Sequence, residues 1–229
     1  MTLTVRAEEL ELARYLKSGD RIVLGQACGE PSTLVEALIA QGAAITGLRA
    51  FIATSFSGLF TPETAAAFRL SSMGAIGALR TMTKAGALDV IPVHVSQVGP
   101  LISAGVIGCD VTMIQVSPAD SCGLISDYVR AAVAAARVVI AEVNEAVPFT
   151  FGETIHASEI DIAVPVSRAP VEVAAAKVSD TDEAIARHCA QYIGDGSVIQ
   201  TGVGGVPDAI LRQLGDRRDL GVHSGMLGD

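Results

Sequence analysis

The 229-residue sequence has no tryptophan, and phenylalanine and tyrosine together bring the aromatic share to only 4%. Clusters of lysine and arginine are missing as well. The formal net charge is −9 and comes from carboxylates dispersed along the chain rather than gathered in a tail. Nucleic-acid recognition draws on basic patches and stacking aromatics, so the shortage of both excludes a phosphate backbone as the expected partner. The charge favours solubility instead. The start, MTLTVRAEELELA, turns acidic at once and carries no apolar h-region, so no secretory signal is expected. Long apolar runs are lacking too: the longest, Ala131 to Val143, is broken by Arg137 and is too short to span a bilayer. A cytoplasmic protein with no membrane partner is the expectation. Cys28, Cys109, Cys122 and Cys189 form no C-x-x-C pair and have no histidine at zinc-ligand spacing, which predicts buried reduced thiols and no metal site.

What the chain does have is apolar bulk, 50% of its residues, in runs of strand length separated by helical stretches. The runs are Arg21 to Gly25, Leu48 to Ala53, Val90 to Val95, Val111 to Val116, Arg137 to Val143 and Ser197 to Thr201. Between them lie amphipathic or alanine-rich segments such as Ser32 to Ala40 and Ile125 to Ala136. Continuous rather than alternating apolarity suits a parallel sheet covered on both faces, so the expected fold is α/β, an open and mostly parallel sheet flanked by helices. The segment from Ala163 to Ser179 carries Pro165 and Pro170 and then reaches Asp180, which with Glu183 reads as a capping-box helix start. It is expected to connect one unit to the next.

An internal repeat supports that division. The stretch 15–38, YLKSGDRIVLGQACGEPSTLVEAL, lies without a gap on 191–214, QYIGDGSVIQTGVGGVPDAILRQL. In each, a helix ends at a Gly/Asp turn, an apolar strand follows, and a small-residue loop leads to Pro31 or Pro207 in the first turn of a helix, where proline costs no hydrogen bond. Further on, GLRAFIATS overlies DLGVHSGML, which puts residue 225 where Ala53 ends its strand. Any two strand–turn–helix units share part of this pattern, but the common proline, glycine and flanks favour a true repeat. The expected domains are a first α/β unit over 1–175 and the beginning of a second, incomplete one over 176–229. A fragment of a parallel unit cannot cover its own apolar faces, so further chain or a partner copy is expected to complete it.

Three segments carry candidate chemistry. In QTGVGGVPDAI (200–210), Gly202, Val203, Gly204 and Gly205 lie between a strand and a helix, where backbone N–H groups meet the positive end of a helix dipole. Pro207 stands where a dinucleotide fingerprint needs its last glycine, so this is not one, and a plain turn uses the same glycines. QVSPADSCGLIS (115–126) follows a strand and reads equally as a ligand loop or a turn. VVIAEVNEAVPFTFGETIHASEID (138–161) holds Glu142 at a strand end, Asn144, and His156 near Glu159. Glu142 reads first as a hydrogen-bonded structural carboxylate and second as a base, and His156 as an ordinary loop histidine. From position at strand ends, Gln26, Gly29, Thr54, Ser55 and Ser96 are further candidates for the cleft.

DVTMIQVSPADSCG, VIAEVNEAVPFTFGETIHASEID, PVHVSQV and IQTGVGGVPDAILRQLGDRRDLGVHSGM together resemble the acetyl-CoA hydrolase/transferase group of class I coenzyme A transferases. The likeness runs in ordered blocks from about residue 20 onward. It implies two similar open α/β units with the active site between them, CoA or acyl-CoA as substrate with no covalently bound cofactor, and a small carboxylate as acceptor. It also implies a glutamate that attacks the thioester and passes through a mixed anhydride to a glutamyl-CoA thioester, beside backbone donors for the oxyanion. The nucleophile of the resemblance lies two residues after a histidine, and that position is Gly225. Around it Gly221, His223, Ser224, Met226 and Asp229 follow the pattern. Since glycine has no side chain, three readings stand: a hydrolase or transferase working by another route, such as water activated by another carboxylate; a non-catalytic CoA-binding paralogue or subunit pairing with an active half; or another enzyme on a similar sheet, such as a sugar-phosphate isomerase. Ser224 is a poor substitute nucleophile, because GVHSGM lacks the G-x-S-x-G spacing of a nucleophile elbow.

Overall fold

The computed structural model describes residues 2–118, 127–174 and 176–225, with Ala65 described by its backbone alone. Two compact units divide the chain, Met1–Glu172 and Val173–Asp229. The first runs β1 (Leu3–Thr4), β2 (Arg21–Leu24), α1 (Ser32–Gln41), β3 (Arg49–Phe51), β4 (Arg69–Ser72), α2 (Leu79–Lys84), β5 (Asp89–Val90), α3 (Val95–Ser103), β6 (Val111–Val116), α4 (Val129–Ala135), β7 (Val138–Asn144) and β8 (Ile162–Val166). Its strands form one sheet in the order β1-β8-β7-β6-β2-β3-β4-β5, with parallel pairing throughout. From β2 the chain winds outward through β3, β4 and β5, then returns to lay β6 on the other side of β2 and winds the opposite way. The winding therefore reverses between β2 and β6, and in open parallel sheets the crevice beyond the carboxyl ends at such a point is where ligands bind.

The central strands read as continuous apolar runs because both faces are covered. Val111 and Met113 pack with Ile22, Leu24, Leu34, Val35 and Leu38 on the α1 face. On the opposite face Ile114 meets Val129 and Val133 of α4, while Val23 and Phe51 meet Val98 and Ile102 of α3 with Tyr128 and Ala132. α1 presents Leu34, Val35 and Leu38, all fully buried, which are apolar at one-turn spacing. Each such burial contributes about 1.5–3 kcal/mol. Leu38→Ala alone would cost about 2–5 kcal/mol. Among the described residues, no helix is long and apolar enough to cross a membrane.

Several elements differ from expectation for physical reasons. The strand expected at Val90 to Val95 ends at Val90, with Ile91 N–H donating the last ladder bond to Ser72 C=O at 2.8 Å; Pro92 has no N–H to continue it, and α3 begins at Val95. β4 went unread because its sequence is RLSS. The Ser72 hydroxyl is buried but satisfied by the carbonyls of Ala53 and Gly74, each at 3.0 Å, so a serine is tolerated there. All of β8 but its first residue lies in the segment read as a connection. Pro165 is admitted because β1 pairs only as far as Ala163, leaving its nitrogen with no ladder partner to serve on that side. The helix expected over Ile125 to Ala136 is α4, Val129–Ala135; residues 119–126, and with them Cys122 and most of the 115–126 loop, lie outside the described residues. Among the described cysteines only Cys109 is buried, Cys28 and Cys189 being half-buried and all three free.

The second unit runs α5 (Asp180–Ala190), β9 (Val198–Ile199), α6 (Gly205–Gln213) and β10 (Gly221–Val222). The cap of α5 is Ser179, one residue earlier than expected, and its box partner is Asp182: the Ser179 hydroxyl accepts from Asp182 N–H at 3.2 Å and Asp182 Oδ2 accepts from Ser179 N–H at 2.8 Å. β9 and β10 pair in parallel with α6 between them in sequence, the order of β2, α1 and β3. The register differs by one residue. Ile22 faces Ala50 in the first unit, whereas its counterpart Val198 faces Gly221, one short of Ala50's counterpart Val222.

Candidate functional site

In the first unit the candidate site is the carboxyl edge of the sheet around the winding reversal. After β2, residues Gly25–Pro31 fold back tightly through a 3-10 turn, Ala27–Gly29. A Cβ on Gly25 would lie 2.7 Å from Gly29 C=O, so only glycine fits. Ala27 takes the left-handed region at φ 52°, and its N–H donates to Thr54 C=O at 2.9 Å, tying this loop to the one after β3. Gln26 is buried and its side-chain amide donates to Asp127. Of the residues read from the sequence, Gln26, Gly29, Thr54 and Ser55 therefore come together on adjoining loops. Ser96 does not follow a strand as expected; it sits exposed in the first turn of α3, beyond the edge strand β5.

The side chain that organises these loops is one the sequence reading passed over. Glu30 is fully buried, and its carboxylate accepts from the hydroxyls of Ser55 at 2.8 Å and Ser57 at 2.6 Å. Burial raises its pKa above the usual carboxylate value, and the Ser57 and Ser55 hydroxyls, with the nearby backbone amides of the same loop, pull part of the way back. The only local signal was a carboxylate in a loop otherwise made of small residues, directly before Pro31.

Glu142, the other carboxylate of this edge, is a structural one, as its first reading had it. It lies within β7 and is fully buried. Its Oε2 accepts from the N–H groups of Thr33 at 2.8 Å and Leu34 at 3.3 Å, so a strand residue caps α1 where Pro31 offers no side-chain cap. Burial raises its pKa; the bonds from Thr33 and Leu34 and the Arg168 charge oppose that. Its Oε1 and the Ser117 hydroxyl are buried without a hydrogen-bond partner among the described residues. His156 is an ordinary loop histidine: it caps a 3-10 turn, Nδ1 accepting from Ser158 N–H at 3.2 Å while Glu159 accepts from His156 N–H at 3.0 Å.

In the second unit the glycine loop follows β9 and opens α6, with Gly204 at φ 131°, a conformation that favours glycine. Gly202 and Val203 are exposed, and Gly205 packs against Asp182, whose Oδ2 would be 3.0 Å from an added Cβ. Ser224 hooks onto the strand end just before this loop: its hydroxyl donates to Thr201 C=O at 2.9 Å and accepts from Thr201 N–H at 3.2 Å. His223 N–H donates to Ile199 C=O at 2.9 Å, and the ring is exposed. Ser224 is thus held as a structural link between the two strand ends. Among the described residues nothing lies within 4 Å of a Cβ built on Gly225, and its backbone is not in the left-handed region, so none of them stands in the way of a side chain there. Met226 and Asp229 lie outside the described residues.

Residues 5–175 match the model of the acetyl-CoA hydrolase/transferase N-terminal domain. The chain belongs to this family. Among curated relatives of this acetyl-CoA hydrolase/transferase member, the 4-hydroxybutyrate coenzyme A transferase of Clostridium kluyveri is 35% identical over 222 residues, covering 93% of this chain and 52% of the relative. The succinyl-CoA:cyclohexane-1-carboxylate CoA transferase of Geobacter metallireducens is 27% identical, with coverage of 96% and 52%. Among solved structures, RipA from Yersinia pestis superposes with a TM-score of 0.88 at 27% identity over 97% of this chain and 56% of that one. The 4-hydroxybutyrate CoA-transferase of Porphyromonas gingivalis gives 0.78 at 29% identity, covering 99% and 55%. The chain therefore spans about half the length of the family members it matches.

Proposed function

We propose that this chain forms part of a protein that binds CoA thioesters between two similar α/β units and either passes CoA to a small carboxylate or hydrolyses the thioester. The family match over residues 5–175 carries the reading, and the relatives named as CoA transferases agree with it. CoA or acyl-CoA is then a substrate, not a resident cofactor. In this reading residues 1–175 are the first unit and 176–229 begin the second, whose exposed Val198 and Val222 are covered by further chain or by a second copy in a homo-oligomer. Gln26, Gly29, Thr54 and Ser55 contribute to the cleft from the first unit, and Gly202–Gly205, His223 and Ser224 from the second. The protein works in the cytoplasm.

Gly225 occupies the place of the nucleophilic glutamate, so no acyl or CoA adduct forms there. Catalysis without that residue is direct hydrolysis: a water oxygen attacks the thioester carbon, the C–S bond breaks, and the thiolate leaves with the water proton. That no described residue lies within 4 Å of a Cβ on Gly225 supports room for that water. The same glycine favours a second reading, a CoA-binding paralogue or subunit without activity of its own that needs an active partner half. Incubation with acetyl-CoA separates the versions. Thiol release with no modified residue after borohydride reduction and peptide mass spectrometry supports hydrolysis, and tight binding without thiol release supports the non-catalytic subunit. A reduced or CoA-bearing glutamate elsewhere in the chain overturns the water-attack version.

A further inference from the structure

The carboxyl edge of the first unit carries a line of side-chain hydrogen bonds that crosses five neighbouring strands. It begins after β3, where the Ser55 and Ser57 hydroxyls donate to the Glu30 carboxylate. Glu30 belongs to the loop after β2, and its C=O accepts from Gln115 Nε2 of β6 at 2.8 Å. Gln115 Oε1 in turn accepts from Asn144 Nδ2 of β7 at 3.2 Å, and Asn144 bonds both to Arg168 C=O at 2.9 Å and to Arg168 N–H at 3.2 Å beyond β8. Strands β3, β2, β6, β7 and β8 are consecutive in the sheet. Glu30 is the residue through which the line passes the winding reversal, with its carboxylate on the β3 side and its carbonyl on the β6 side. The line extends one strand further, since Ser55 C=O accepts from Ala78 N–H at 2.9 Å and Ser55 bridges to Gly77 after β4.

We infer that Glu30 is a positioning residue: by clamping the 25–31 loop to the 54–57 loop it fixes the backbone of Gln26–Gly29 at the crevice where, on the function proposed above, the thioester end of the substrate sits. The arrangement suits that role. A buried carboxylate held at both oxygens by two hydroxyls of one short loop has little freedom, so the loops it joins are held rigid before any ligand arrives. Each oxygen already accepts from a serine hydroxyl, Oε2 from Ser55 and Oε1 from Ser57, and Glu30 acts through the backbone that it holds.

Hydrogen exchange with peptide mass spectrometry on the purified full-length protein tests the clamp without reference to activity. Glu30→Gln replaces one acceptor by a donor facing a serine hydroxyl, and is expected to speed exchange at least tenfold in segments 25–31 and 54–58 while α4 is unchanged. Should Glu30→Gln fail to fold, Ser57→Ala at a half-buried position is expected to loosen the same two segments, and Ser57→Thr, which keeps the hydroxyl, to restore them. Unchanged exchange in these segments, or an increase spread evenly over the unit, overturns the inference. Where the wild type turns over acetyl-CoA, Glu30→Gln is expected to lower kcat at least tenfold with KM within about threefold; wild-type kcat in the variant overturns the positioning role. A wild type that neither binds nor cleaves acetyl-CoA removes the proposed function, and the exchange result still decides the clamp.

Discussion

Replacing Glu142 separates the two roles a buried carboxylate can play in this fold. Its Oε2 satisfies two N–H groups in the first turn of α1, those of Thr33 and Leu34, and the side chain is fully enclosed. Glu142→Ala strands both donors, each costing about 1–3 kcal/mol when buried and unpaired, and the lost burial penalty of the carboxylate returns part of that. A net loss of about 3 kcal/mol is expected, which for a chain of this size lowers Tm by about 6–12 °C. Glu142→Gln keeps a carbonyl oxygen for the same two donors and removes the buried charge, so it is expected to be far less harmful than the alanine variant. The pH dependence follows from the raised pKa of Glu142. The folded protein holds this proton more tightly than the unfolded chain does, so its contribution to stability is full below the unfolded value and declines as pH rises through the folded one. Relative to wild type, Glu142→Gln should therefore gain stability between about pH 4 and pH 7. Urea denaturation of the three proteins at both pH values measures this. An alanine variant within about 0.5 kcal/mol of wild type, or a glutamine variant no better than alanine, refutes the capping argument.

Three further outcomes are expected. Gly77→Ala should destabilise by more than about 1 kcal/mol in the same assay, because Gly77 sits at φ 63° and an added Cβ would lie 2.2 Å from Ser55 C=O; the reasoning fails if the variant is neutral. In thiol labelling at pH 8, Cys28 and Cys189 should react in the folded protein and Cys109 only after denaturation, since burial pushes the Cys109 thiol up to about 12. Labelling of Cys109 at the rate of the other two would contradict its enclosure. Gly225→Glu should fold as well as wild type, no described residue crowding the position, and acquire a CoA-bearing adduct on that residue when incubated with acetyl-CoA. Folding without an adduct would mean that Gly225 does not stand at the nucleophile position.

The central strands were legible because a parallel sheet covered on both faces writes itself as unbroken apolar runs. Val111 to Val116 was read to the residue. β4 and β8 broke that rule, one by carrying serines whose hydroxyls are satisfied by neighbouring carbonyls, the other by admitting Pro165 where its outer neighbour has already ended. The candidate site was legible as loops and not as interactions. The ends of the apolar runs mark where the chain leaves the sheet, which is how Gln26, Gly29, Thr54 and Ser55 were placed on loops at its edge. The bonds made by Glu30 and Gln115 join residues far apart in sequence, and no local pattern announces them.

The measurement that bears most directly on the account is the thermal shift of the purified protein with acetyl-CoA, with ATP at equal concentration as control. Ligand at a hundredfold excess over Kd stabilises the folded state by about 2.7 kcal/mol, so a rise in Tm of about 5–11 °C is expected with acetyl-CoA and much less with ATP. An equal shift with ATP would show a nucleotide site that ignores the thioester. No shift with acetyl-CoA or any other CoA ester would contradict both the hydrolytic and the non-catalytic readings.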